Sequence, residues 1–411
     1  MALNYIWVAF FLVAFVVALI KLIVFGDTEI FKTIVEGLFD SAKVAVIDIA
    51  LPLAGVMTFF LGLLNIGEKA GAINFIARII GPFFNKLFPE VPKDHPANGQ
   101  MIMNFSANML GLDNAATPFG LRAMESLQSL NPNKDSASNA QIMFLVLHTS
   151  GLTIIPLSIM AQRAILGAQN PADIFIPCVI GTYVTTVVSM ITVAIRQRIN
   201  LLNGTVIGWL GGITALIVLA LWALSGRPKE EVEAVSKVVG NVLLFSIIVS
   251  FLAGALLRKV DIFSTFIEGA KGGFDTSVRI IPYLVGMLVA ISAFRNAGAM
   301  DYLVDGMKYV IGLTGVNTDF TDALPVALMK PLSGSGARAL MIDAMKQFGP
   351  DSFVGRLVCI FQGSADTTFY IVALYFGSVG IKNTRYAIPY GLFADLIGVV
   401  AGIALGYLFF H

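Results

Sequence analysis

The chain is poor in charge, cysteine and histidine, and each shortage removes a class of function. Only 13% of its 411 residues are Asp, Glu, Lys or Arg, and the formal net charge is +1. A field that weak offers nothing to nucleic acid or to an acidic partner. The two cysteines, Cys178 and Cys359, sit inside apolar runs and read as small core residues, not as a disulfide framework or a metal site. Three histidines are too few for a histidine-rich metal centre. No Walker A loop, H-E-x-x-H, G-x-S-x-G or dinucleotide fingerprint occurs, which argues against an enzyme and against an ATP-driven pump.

What the chain has is hydrophobicity. It is 57% apolar with a mean hydropathy of +0.82, far beyond a soluble protein of this length. A membrane helix needs about 20 apolar residues. Runs of that kind fall at 5–25, 44–65, 141–166, 172–195, 205–225, 235–257, 278–296, 353–377 and 385–410. The first lacks a basic n-region and a cleavage site, so it reads as a retained helix and not a signal peptide. Segments 67–88 and 298–313 are amphipathic and suit the membrane interface. Segments 100–130 and 320–348 read as re-entrant helix–break–helix hairpins. The expected class is an all-α, polytopic membrane protein. Arg196, Arg198, Arg258, Lys259, Lys382 and Arg385 put the N-terminus on the cytoplasmic side.

The sequence repeats itself. Phe31-x-Thr33-x-x-Glu36-Gly37 recurs as Phe263-x-Thr265-x-x-Glu268-Gly269, and Ala70-Gly71-Ala72 as Ala297-Gly298-Ala299. Arg122-Ala123 recurs as Arg338-Ala339, Ser150-x-x-Thr153 as Ser364-x-x-Thr367, and Ile176-Pro177 as Ile388-Pro389. Five matches in one order indicate duplication. The expected division is 1–202, with hairpin 100–130, and 203–411, with a linking helix and hairpin 320–348. An odd number of crossings separates the two starts, so the repeats would be inverted, which is a secondary-transporter pattern.

Polar residues gather at the interruptions. The first hairpin offers Asn104, Ser106, Asn108, Asp113, Asn114 and Thr117. Amides and hydroxyls at a helix break can bind a polar solute, and the same groups can serve only as caps, Thr117-Pro118 being a good N-cap pair. The second hairpin offers Ser333 and Ser335 between glycines. His148-Thr149-Ser150-Gly151 and Gln362-Gly363-Ser364-Ala365-Asp366-Thr367 interrupt two long apolar runs at repeat-related positions. A carboxylate at membrane depth is costly unless paired or protonated, which marks Asp366 as functional. His148 could relay a proton or bond a solute, or be a satisfied core residue. Arg122 and Arg338 read first as partners for nearby carboxylates such as Glu125 and Asp343.

Asn104-Phe-Ser-Ala-Asn108-x-Leu-Gly-Leu-Asp-Asn114-Ala-Ala-Thr117-Pro118 resembles the signature of the spore maturation protein A family. Pro331-Leu-Ser-Gly-Ser-Gly-Ala-Arg338 and Gln362-Gly-Ser-Ala-Asp-Thr367-Thr368 resemble spore maturation protein B. The chain thus looks like a fusion of the two, within the nucleoside recognition, or gate, domain group. That group is related to concentrative nucleoside transporters, whose elevator-like folds carry inverted repeats. The resemblance implies an inverted-repeat, elevator-like carrier whose hairpins meet at the midplane, and it leaves the substrate open. Together with the polar breaks, the expected function is a secondary transporter in a bacterial inner (plasma) membrane for a small polar solute, nucleoside-like or other, coupled to Na⁺ or H⁺. Asn104, Asn108, Asn114, Thr117, His148, Ser333, Ser335, Gln362 and Thr367 would face the solute, and Ser364 and Asp366 the coupling ion. No cofactor is expected beyond Na⁺ itself. Expected partners are the solute, the lipid bilayer and, by analogy, further copies of the chain. Two other classes stay open: a membrane scaffold for envelope or spore maturation that moves nothing, and a membrane enzyme with a nucleophile beside His148.

Overall fold

The computed structural model describes residues 2–111, 113–224 and 229–411, with backbone alone for a few of them such as 113–115. Among the described residues the structure is helical, apart from one isolated bridge between Ser136 and Asn383. The first half holds α1 (Ala2–Phe25), α2 (Ile30–Val44), a π-helical turn (Ala45–Ala50), α3 (Leu51–Lys69), α4 (Ala72–Leu87), α5 (Pro96–Met109) and α6 (Asp113–Leu130). It continues with α7 (Asn139–Thr149), α8 (Leu157–Ile165), α9 (Phe175–Gln197) and α10 (Gly204–Leu224). The second half holds α11 (Lys229–Leu257), α12 (Ile262–Asn296), α13 (Ala299–Gly312), a 3₁₀ turn (Thr321–Ala323) and α14 (Leu324–Met329). After these come α15 (Gly334–Phe348), α16 (Phe353–Gly363), α17 (Thr368–Ser378) and α18 (Ala387–Phe410).

Among the described residues, six helical segments are long and apolar enough to cross a membrane, or seven if Ile281–Asn296 and Ala299–Gly312, bent by 72°, count as one. The chain is a multi-pass helical membrane protein. The run expected over 44–65 is part of a longer helical stretch, Ile30–Lys69, because the π turn widens the helix without stopping it. The run expected over 141–166 is two helices, since Gly151, at φ +61°, and Pro156 cannot continue α7.

Two compact units emerge, each drawn from both halves of the sequence. Unit one comprises Met1–Leu61, Ala161–Pro171 and Ala270–Gln362. Helix α1 and the end of α12 with the turn after it meet through Ala14, Ala18, Ala293 and Ala297, all buried. Small residues spaced by four let membrane helices approach closely, which supplies van der Waals contact where lipid removes the hydrophobic drive. Trp7 Nε1 donates to the Gly286 carbonyl at 2.9 Å, and Ser292 Oγ to that of Gly37 at 3.0 Å. Gly298, at φ +84°, makes the elbow before α13, and the Lys21 ammonium lies against it.

Unit two comprises Gly62–Met160, Ala172–Gly269 and Gly363–His411. Its elbow is Gly71, also at φ +84°, with the Arg258 guanidinium against it. Asn65 Nδ2 donates to the Thr265 carbonyl at 2.7 Å, and Lys69 pairs with Glu268. Each elbow is thus an αL glycine covered by a cation from the other half of the chain. Both positions favour glycine because φ > 0 there strains any residue with a Cβ.

Helix α7 is the core of unit two, with every residue from Ala140 to Thr149 buried. Its start is fixed by a capping box. Ser138 Oγ accepts from the Gln141 N–H at 3.2 Å, and the Gln141 side chain accepts from the Ser138 N–H at 2.8 Å. Helices α9 and α18 pack together through Ile180, Leu405 and Phe409.

Candidate functional site: a junction of three helix breaks

Three interrupted segments of unit two are stitched together by backbone hydrogen bonds. The turn between α5 and α6 ends at Gly111, which takes φ +72°. Met109 C=O in that turn accepts from the Ile154 N–H at 2.7 Å, in the break between α7 and α8. Thr149 C=O, at the end of α7, accepts from the Asp366 N–H at 2.7 Å, in the break before α17. A Cβ at Gly111 would lie 2.9 Å from the Ile155 carbonyl, and one at Gly151 would lie 3.1 Å from the Asp366 nitrogen. Glycine at both places permits the close approach. Backbone groups freed by the breaks are thus satisfied by other breaks, as a membrane interior requires.

Side chains converge on the same junction. His148 is buried, and its Nδ1 lies 2.9 Å from Asn108 Nδ2, 3.1 Å from Asn104 Oδ1 and 3.2 Å from Tyr375 Oη. Asn104 Nδ2 is anchored on the Ala116 carbonyl at 2.7 Å, which turns its Oδ1 toward the imidazole. A bare Nδ1 accepts from Asn108; a protonated Nδ1 donates to Asn104 Oδ1. The other ring nitrogen, Nε2, lies 3.7 Å from Asp366 Oδ2. Asp366 Oδ1 accepts from the Thr367 N–H at 2.7 Å. The Asp366 side chain is 45% exposed.

The surrounding helices hold this junction in place. Thr186 Oγ1 reaches the Ser150 carbonyl at 3.5 Å, and Thr368 Oγ1 donates to Asp395 Oδ2 at 2.7 Å. Gly391 and Gly398 of α18 sit against Thr368 and Ser364, where a Cβ would crowd their side chains. Tyr375 stacks on Phe144 with centroids 5.6 Å apart. Gly120 of α6 lies beside it, and a Cβ there would collide with Tyr375 Oη and come within 2.8 Å of Asn104 Nδ2.

The structure brings together Asn104, Asn108, His148, Ser364, Asp366 and Thr367 of the residues expected from the sequence. Tyr375 joins them unannounced, one of several hydroxyl-bearing residues in a mostly apolar helix. Thr117 is half-buried inside α6, not at its start. The helix begins four residues earlier, at Asp113, and carries Pro118 internally. The side chain of Asn114 lies outside the described residues. Ser333, Ser335 and Gln362 belong to unit one. Ser333 Oγ accepts from the Gly336 N–H at 3.0 Å and stands 3.2 Å from Ser335 Oγ, a local N-cap for α15. Gln362 Oε1 is buried without a hydrogen-bond partner among the described residues. Asp343 is paired with Arg295 of α12.

The family described as Gate, nucleoside recognition, matches residues 50–166 and 277–382, which include all three breaks and Tyr375. Spore maturation protein B of Bacillus subtilis (strain 168) is 45% identical over 174 residues, 41% of this chain and 96% of that protein. Spore maturation protein A of the same organism is 38% identical over 188 residues, 46% of this chain and 92% of that protein. No solved structure gives a significant match.

Proposed function

Because the chain belongs to the nucleoside recognition, or Gate, family, we propose that it is a carrier for a small polar solute, nucleoside-like or other, in the bacterial inner membrane. The observation that carries this reading is the junction where Asp366, half-exposed, faces a buried His148 between three helix breaks. Discontinuous helices whose ends meet are where transporters hold solute and ion. An intramembrane carboxylate with open coordination is the natural place for a coupling Na⁺ or H⁺.

The geometry suggests how ion and solute are linked. With no proton on Nδ1, His148 takes the Asn108 amide as its donor. With Nδ1 bare the ring proton sits on Nε2, beside Asp366. A second proton gained from solvent makes the ring an imidazolium, while a cation on Asp366 disfavours Nε2–H and moves the single ring proton to Nδ1. In either case Nδ1–H donates to Asn104 Oδ1. Asn108, partly exposed, is released to hydrogen-bond the solute. Differential binding of the ion to two arrangements of one imidazole is sufficient for coupling. We further take the two halves to be inverted repeats with re-entrant hairpins, working as a homo-oligomer, and assign the chain no catalytic step. The paired elbows at Gly71 and Gly298 support the two-copy plan.

The test is uptake by purified protein in proteoliposomes, with nucleosides, amino acids and organic anions, with and without a Na⁺ or H⁺ gradient. Gradient-dependent flux of at least one class is expected. No flux across the panel would instead favour a second reading, which the relatives' names support: a membrane assembly protein of spore maturation that moves no solute.

A further inference from the structure

Unit one contains a polar chamber of its own, beside the elbow where α13 leaves α12. Its volume is about 310 Å³, which is the size of a small-ligand site. Met300, Val304, Val326 and Leu340, all buried, form an apolar floor. The charged wall is Asp301, Asp305, Lys308 and Asp322, with Arg295 behind them. Arg295 is committed to Asp343. Lys308 Nζ holds Asp322 at 3.0 and 3.3 Å, which leaves the ammonium a further N–H. Asp301 and Asp305 have neither ion pair nor hydrogen bond among the described residues.

Those two carboxylates stand one turn apart on one helix face, where like charges repel. The positive end of the helix dipole offsets Asp301, which lies in the first turn, but Asp305 is beyond its reach. A metal ion does not suit the wall, since no three His, Cys, Asp or Glu side chains converge as ligands among the described residues. An ammonium does: it can donate to both carboxylates at once. A guest with an oxyanion a few bonds away would also take the remaining Lys308 N–H.

We propose that this chamber binds a small zwitterion carrying a primary ammonium and an oxyanion. The ammonium lies between Asp301 and Asp305, and the oxyanion meets Lys308. Two sources offer that chemistry, a free amino-acid-like solute and the phosphoethanolamine headgroup of a lipid. The outward side of α13 suits the second as well, since Tyr302, Tyr309, Val310 and Leu313 are 60%, 71%, 63% and 72% exposed and would bed acyl chains. The chamber shares no residue with the His148 junction, so the two readings stand or fall separately.

The test uses the full chain in phosphatidylglycerol nanodiscs. Glycine and O-phosphoethanolamine are the free probes, and phosphatidylethanolamine added to the disc is the lipid probe, with occupancy read by native mass spectrometry. At least one probe is expected to bind, and Asp301→Asn with Asp305→Asn to weaken it about tenfold at unchanged thermal midpoint. Binding of the lipid alone assigns the headgroup, and binding of the free probes alone assigns a solute; either supports the proposal. Asp305→Asn by itself, at an exposed side chain, repeats the test should the double variant fold poorly. Failure of all three probes, or binding indifferent to both variants, overturns it.

Discussion

The two interrupted stretches, 100–130 and 320–348, put their polar groups to different work. In the first, Asn104 and Asn108 of α5 reach across to His148 and Tyr375, far away in sequence. In the second, Ser333 satisfies the start of its own helix and goes no further than Ser335. Side chains of the first kind tie separate segments together; those of the second fix where their own helix begins.

Substitutions can break that contrast. Asn104→Ala carries the largest expected effect. It strips a buried amide from the Ala116 carbonyl and the imidazole, and leaving buried partners unpaired costs about 3 kcal/mol. Denaturation of the purified protein in detergent reads it. Gly120→Ala comes next, at about 2 kcal/mol, because Tyr375 is a rigid stacked ring that cannot yield to the new methyl. Ser333→Ala should cost only about 1 kcal/mol, as the loss of one helix cap does, and should leave solute flux intact. If Ser333→Ala proved as damaging as Asn104→Ala, the division between joining and capping residues would be wrong.

Much of the architecture was legible because membrane interiors punish irregular backbone. Gly151, Pro156 and the Gly363–Asp366 stretch announced the breaks, whereas the recurring Ala-Gly-Ala was read only as a match between halves and its left-handed glycines appear first in the structure. The interleaving was not legible, since nothing in Lys21 says that it will cover Gly298, or in Arg258 that it will cover Gly71. Asp343 shows the same limit. Arg338 is its neighbour in sequence, but Arg295, on α12, is its ion-pair partner. Tyr375 escaped because a hydroxyl among apolar residues reads as interface until its partner, His148, is known in space. Thr117 misled because Thr-Pro is a capping signal in general, and here the helix had already begun.

Asp366→Asn is the most direct test of the coupling claim. The side chain is half-exposed and its Oδ1 acceptor survives as an amide oxygen, so folding should be spared. In proteoliposomes the variant should bind solute but lose all dependence of uptake on the Na⁺ or H⁺ gradient. Full gradient-driven uptake by Asp366→Asn would contradict the account.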